Sequence, residues 1–193
     1  MCSTTPIGDA MATVAFSEGG NAANQDILFY QYFSLVLTAG QTITGAQSLK
    51  FQAMAIETSI DNNMFHSMGI RVVAANGTTI QKTVLAVSRG STEYNAATLI
   101  NRSNVQTSAA TNYTTVAGDR LVFEVGAGGL PKNNGFSHSC SLRLGDSAAS
   151  DLPEDTTTTT DLRPWVQLTD TLTFVAAGKP RQAMHQVRMR RVG

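Results

Sequence analysis

Short apolar and β-branched runs, separated by turn residues, recur along this chain and constrain its fold more than any other feature. In residues 49–56 the side chains divide into two alternating sets. One is Leu49, Phe51, Ala53 and Ala55, and the other is Lys50, Gln52, Met54 and Ile56. Alternation with period two is the pattern of a β-strand. Two further runs, 68–74 and 79–87, flank the dipeptide Asn76-Gly77, a strong hairpin signal. No segment has the periodicity of a long amphipathic helix. We therefore predict an all-β protein.

About eight candidate strands are visible, the number that an antiparallel β-sandwich of jelly-roll type requires. Residues 27–37 are nearly continuously apolar, so we predict one long, buried strand that is not at a sheet edge. Residues 136–144 predict a strand with Cys140, Leu142 and Leu144 on one face. Residues 121–126 and 165–174 predict two more. The region 88–108 is expected to be less regular, 126–135 to be a loop, and Thr156–160 to be a solvated linker.

The composition agrees with an all-β protein and excludes a protein that spans a membrane through an apolar helix. Of 193 residues only 15% are charged, where soluble domains average about 25%, and Thr, Ser, Asn, Ala and Gly fill the difference. No apolar stretch reaches the roughly 20 residues of a membrane span, so we expect no membrane partner. We predict three parts: an N-terminal arm or first strand over 1–26, a sandwich domain over 27–177, and a basic C-terminal arm over 178–193.

The chain has 14 basic and 14 acidic residues, but the balance is a cancellation between two regions. The arm carries Lys179, Arg181, Arg188, Arg190 and Arg191 and no acid, so its charge is +5 and that of residues 1–178 is −5. Apolar side chains are interleaved with the arginines, which favours docking over pure solvation. We expect these five residues to bind protein, first of all the acidic body of a neighbouring copy. Nucleic acid is the less favoured partner, although arginines also pair with phosphates.

Sequence signals for catalysis, cofactors or metals are weak. His138 and Cys140 share a strand face, but no third catalytic group is suggested, so we predict no enzyme and no cofactor. The acidic loop 146–161 matches no calcium motif, and we predict no metal. Trp165 is a possible glycan contact if its ring is exposed; its place in an alternating strand fits core packing equally well.

Several segments together resemble a family of phage virion proteins. They are residues 37–45, 70–73 with the following Asn-Gly-Thr, 118–126, 142–146 through 151–153, 163–168 and 172–174. The resemblance extends over roughly 27–175, nearly the whole predicted sandwich, and its motifs are structural. It implies a β-sandwich virion component without enzymatic activity, on the capsid or the tail, and it assigns no binding residues.

From the residues and the resemblance together, we expect a capsid decoration or cement protein that binds copies of itself and other virion proteins. A tail or head–tail component, such as an adaptor, fibre or receptor-binding protein, is the alternative from the same setting. A carbohydrate-binding module is the alternative from another class. With two cysteines and no secretory signal, we expect synthesis in the host cytoplasm and a final location in the virion.

Overall fold

The computed structural model describes residues 11–17, 25–129, 137–145 and 150–175. All regular structure within these ranges is β-strand, and no helix there is long and apolar enough to cross a membrane. The strands are β1 (Met11–Ser17), β2 (Gln25–Phe33), β3 (Thr42–Ile43), β4 (Ser48–Glu57), β5 (Met64–Val73), β6 (Ile80–Glu93), β7 (Ile100–Thr107), β8 (Tyr113–Thr114), β9 (Arg120–Gly129), β10 (Ser137–Arg143) and β11 (Trp165–Leu168).

The strands form two main antiparallel sheets, which confirms the predicted all-β, antiparallel sandwich. In the first sheet β10 lies between β1 and β4, and β7 pairs with the other edge of β4. The short β11 continues the β10 side of β4, because β10 pairs with residues 54–57 and β11 with residues 49–52. The second sheet has the order β2-β9-β5-β6, and β3 and β8 make a small separate ribbon.

Eight of the strands pair in a nested order. β5 pairs with β6, β4 with β7, β2 with β9 and β1 with β10, so that each pair encloses the previous one in the chain. Successive pairs alternate between the two sheets. The outermost pair brings Met11 opposite Arg143, so the edge strand β1 of the first sheet pairs with residues that are far from it in sequence.

The core lies between the two sheets. The first sheet contributes Leu49, Phe51 and Leu142, and the second contributes Ile70 and Phe123, all of them buried. The predicted alternation in β4 and the predicted inward face of β10 are therefore confirmed. Removing such side chains from water is the main favourable term in folding.

The hairpin predicted at Asn76-Gly77 is confirmed between β5 and β6. The Ala74 N–H donates to Thr79 O at 2.9 Å, and Gly77 N–H donates to Ala74 O at 2.8 Å. Gly77 has φ = 73°, a backbone region that glycine enters without strain. The Asn76 Oδ1 accepts from the N–H groups of Thr78 and Thr79, both at 3.0 Å, so the asparagine fixes the turn.

The prediction for residues 27–37 was wrong in position and in burial. The strand β2 ends at Phe33, is half-buried, and lies at the edge of the second sheet. Its register shifts between Leu28 and Tyr30, a β-bulge, and consecutive Phe29 and Tyr30 both pack against the core. A bulge resets the alternation of faces, so the adjacent Phe29 and Tyr30 both reach the core, while the last part of the apolar run lies beyond the strand.

Two other regions differ from their predicted structure. The region expected to be less regular contains the end of β6 and all of β7. β7 was missed because its buried residues include Asn101 and Asn104, which give no apolar alternation. At the C-terminal end, β11 has only four residues, and beyond it Phe174 makes a single antiparallel bridge with Leu37. The predicted loop 126–135 begins later than expected, since β9 continues to Gly129.

Candidate functional site

The five basic residues of the predicted arm, Lys179, Arg181, Arg188, Arg190 and Arg191, lie outside the described residues, as do the other residues of 176–193. The last described residue is Val175, whose N–H donates to Val36 O at 2.8 Å. The described chain therefore ends at a fixed point next to Val36, and the docking role of the arm stays a prediction.

Trp165, the possible glycan contact, is buried. Its side chain is 3% exposed and packs with Met54 and Leu152 in a small cluster on the outer side of the first sheet. The indole Nε1–H donates to Leu152 O at 2.6 Å. The ring presents no open face to a sugar in this structure. Its packing agrees with the alternative prediction, in which Trp165 is a buried packing residue.

The segment that buries Trp165 is residues 150–164, which we call the strap. It crosses the outer face of the first sheet and is held by polar groups of β7. Asn101 donates through Nδ2 to Pro153 O at 2.9 Å, and its N–H donates to Thr158 O at 2.8 Å. Arg102 Nη1 donates to Thr156 O. The predicted solvated linker at Thr156–160 is thus part of a segment fastened to the sheet, although some of its side chains are exposed.

The acidic side chains of the strap have separate local partners. Glu154 pairs with Lys50 on β4 at 2.8 Å, and Asp161 pairs with Arg143 on β10. Asp155 accepts from the N–H groups of Thr158 and Thr157, and these bonds hold the pKa of its carboxyl below the ordinary value. No group of three or more His, Cys, Asp or Glu in the described ranges is placed to hold a metal.

A shallow groove of about 380 Å³ lies between the strap and the first sheet, and we call it the strap groove. Its floor is two neighbouring cross-strand pairs of β4 and β7, Lys50 with Val105 and Gln52 with Ser103. Its wall is strap residues 154–157. Val105 is 54% exposed, so the groove combines an apolar contact with carboxylates, hydroxyls and an amide.

Between the sheets lies a buried polar group centred on His66 of β5. Its Nε2 is 3.2 Å from Ala53 O and 3.1 Å from Arg102 O, so Nε2 carries the proton and donates to both carbonyls. Its Nδ1 then accepts from the Tyr94 hydroxyl at 2.6 Å. Burial lowers the pKa of His66 to about 4, which keeps the ring neutral at physiological pH and suits it to a structural role.

The thiol of Cys140 faces the same interior. It is fully buried, and burial raises its pKa to about 12, with Glu57 adding to the effect. A nucleophilic cysteine needs a lowered pKa and access to solvent, and Cys140 has the opposite environment. The side chain of His138, which was considered together with Cys140 as a catalytic pair, lies outside what the structure describes.

The outer edge of β6, at the end of the second sheet, is closed by β7 and the residues after it. Asn104 Nδ2 donates to Ser88 O at 3.2 Å, and Gln106 Nε2 donates to Arg89 O at 2.8 Å. The Ala109 N–H donates to the carbonyl of residue 84 at 2.8 Å. Three carbonyl groups of this edge therefore already have donors.

Comparisons with known proteins give little to place beside this geometry. No protein-family model and no curated protein sequence matches the chain. Among solved structures, a chain of "Structure of infectious bursal disease virus Gx strain" is similar over 70% of this chain and 30% of its own length, with 6% identity and a TM-score of 0.29. The matched region thus spans 30% of the length of that chain.

The strap, its groove and the His66 group were not found from the sequence. The signal available for the strap was an apolar residue, Leu152, within an otherwise acidic and threonine-rich loop. For His66 the signal was a histidine in the middle of an apolar run, where a buried hydrogen-bonded imidazole is the ordinary explanation. The two asparagines and the one glutamine of β7, Asn101, Asn104 and Gln106, gave no signal, because their hydrogen-bond partners lie elsewhere in the chain.

Proposed function

We propose that this protein is a non-enzymatic structural component of a phage virion, a decoration or cement protein that binds neighbouring subunits of the capsid. The observation that carries the proposal is the nested pairing of eight strands in two sheets. This pairing supports the jelly-roll topology, an architecture that recurs in viral capsid domains, lectins and cupins. Fold does not determine function, so the choice among these classes depends on the site.

Two features of the chain support a role in assembly over a role in sugar binding. Trp165, the aromatic candidate for a sugar platform, is 3% exposed and hydrogen-bonded inside the protein. The division of charge, −5 over residues 1–178 and +5 over the arm, is complementary between copies. Many weak contacts of this kind gain strength when they are repeated in a symmetric shell.

The test is to purify intact particles from a lysate of cells infected by the phage that encodes this chain. Mass spectrometry is expected to find the chain in the particles, and an electron-microscopy map is expected to place it on the outside of the capsid shell. Absence from the particles contradicts the virion assignment. Density on the tail or at the head–tail junction overturns the decoration role and selects the tail component instead.

A second experiment tests the arm. The chain ending at residue 178 is expected to fold and to lose incorporation into particles, because the complementary charge has been removed. Normal incorporation of the shortened chain contradicts a tethering role for the arm. Circular dichroism and thermal unfolding of the shortened chain confirm that any loss is not a folding defect.

A further inference from the structure

We propose that the strap groove is the docking site for the basic arm of a second copy of this chain. The inference rests on the proposed function, in which arms connect neighbouring copies, and it assigns the surface that receives them. The groove offers two kinds of contact. Glu154 and Asp155 provide negative charge on the wall, and Val105 provides an exposed apolar side chain on the floor.

The composition of the arm matches these two kinds of contact. In Val187-Arg188-Met189-Arg190 apolar and basic side chains alternate, so an extended segment presents one kind on each side. One side fits the exposed methyl groups of Val105. The arginines on the other side reach carboxylates, to which a planar guanidinium can donate two hydrogen bonds.

The electrostatics of the wall favour this occupant. The bonds from the N–H groups of Thr158 and Thr157 hold the pKa of the Asp155 carboxyl below its ordinary value, so the group is ionised at neutral pH. Glu154 is bound by a single lysine, Lys50, and both side chains are partly exposed, so an incoming arginine can share the carboxylate. The charged lining residues are Lys50, Glu154 and Asp155, so the groove carries a net charge of −1 against the positive arm.

The length of the arm allows it to reach a second copy. Eighteen residues, 176–193, follow Val175 and include the arm, and a fully extended chain spans about 3.3 Å per residue, so this stretch can reach at most about 60 Å. A compact domain of this size has a radius of gyration of only about 16 Å. The arm is therefore long enough to leave its own body and cross to a neighbour.

The test uses full-length protein and measures self-association by sedimentation velocity at low ionic strength. Glu154→Gln is expected to weaken association about three-fold, as for an exposed ion pair, and Val105→Lys is expected to weaken it more by adding repulsion and removing the apolar contact. Asp61→Asn makes the same change in net charge in the turn beyond the far end of β4, and Val116→Ser removes a valine of similar exposure elsewhere. Both controls are expected to associate like the parent.

A crosslinking experiment identifies the occupant directly. Val105→p-benzoylphenylalanine is irradiated in the full-length chain, and the products are separated by mass and mapped by peptide sequencing. A dimer-sized product joined to residues 179–193 supports the proposal. A product of monomer size joined to the same residues shows that the arm folds back on its own body, and a product joined to another segment shows a different occupant. Either result overturns the proposal, as does the absence of a crosslink.

Failure of this proposal is distinguishable from failure of the proposed function. If the groove variants associate normally while the chain ending at residue 178 is lost from particles, the arm is a tether that docks elsewhere. If the shortened chain is incorporated normally, the tethering role itself is wrong. Parent-like association of Glu154→Gln and Val105→Lys overturns the groove assignment alone.

Discussion

His66 connects the two sheets from inside the sandwich. The residue belongs to β5 in the second sheet, yet its Nε2–H donates to carbonyls of β4 and β7, at Ala53 and Arg102, in the first. These two residues are paired with each other in the β4–β7 ladder. A third partner, the Tyr94 hydroxyl, donates to Nδ1, so a second proton on the ring would require this hydroxyl to turn from donor to acceptor.

Stability is therefore expected to depend on pH through His66. Its pKa is about 4 in the folded protein against about 6.5 in the unfolded chain, so the unfolded state binds the proton first. The stabilisation is complete above pH 6.5 and is lost as the pH falls toward 4, by about 3 kcal/mol in all. Urea unfolding over this pH range measures the effect.

The matched variant for this prediction is His66→Gln. It is expected to be less stable at pH 7, because a glutamine loses the ring contacts with Phe51 and Tyr94, but its stability should change less between pH 6.5 and pH 4. The difference between the two pH profiles isolates His66 from the carboxyl groups that titrate in the same range. Parallel profiles for parent and variant contradict the assignment.

Among the elements, the strap is held by polar groups of the neighbouring strand β7 as well as by its own hydrogen bonds. Arg102 donates to the backbone at three places: Glu93 O at 2.6 Å, Asn101 O at 3.0 Å, and Thr156 O in the strap. Buried carbonyls without donors are costly. The side chain thus couples the end of β6, the start of β7 and the strap.

Arg102→Met is expected to loosen the strap while the sandwich stays folded. Methionine retains most of the apolar volume but donates no hydrogen bond, so the global cost is expected to be about 1–3 kcal/mol. Hydrogen exchange should increase at the amides of Thr157 and Thr158 and change little in β5 and β9. Unchanged protection of the strap contradicts the role of Arg102.

The bulge of β2 depends on a glycine in the neighbouring strand. A Cβ on Gly126 would overlap the Ile27 carbonyl, whereas a Cβ on Gly69 would meet only ordinary contacts of 3.5 Å or more. Gly126→Ala is therefore expected to destabilise by about 3 kcal/mol through forced displacement of β2, and Gly69→Ala by less than about 1 kcal/mol. Thermal unfolding compares the two, and equal effects contradict the account.

The whole molecule is organised by pairings between distant parts of the chain. Closing the first sheet requires Met11 to meet Arg143, and loops of this length must be closed before their contacts form. Proteins dominated by such contacts fold in milliseconds to seconds. Stopped-flow refolding is expected to fall in that range, and refolding complete within microseconds contradicts it.

The sequence was informative where side-chain pattern alone determines structure, and not where long-range partners do. The alternation in β4 and the turn at Asn76-Gly77 predicted their elements because the signals are local. β7 was missed because its buried asparagines are satisfied by groups elsewhere in the fold. The strap groove could not be predicted either, since its floor and wall come from segments about 50 residues apart.

The closed edge of β6 has a consequence for behaviour at high concentration. An open strand edge is a template on which further chains can add indefinitely, and this is a route to fibres. Here side chains of Asn104 and Gln106 already occupy carbonyls of that edge. A strand that adds to β6 at these positions would first have to displace these two side chains.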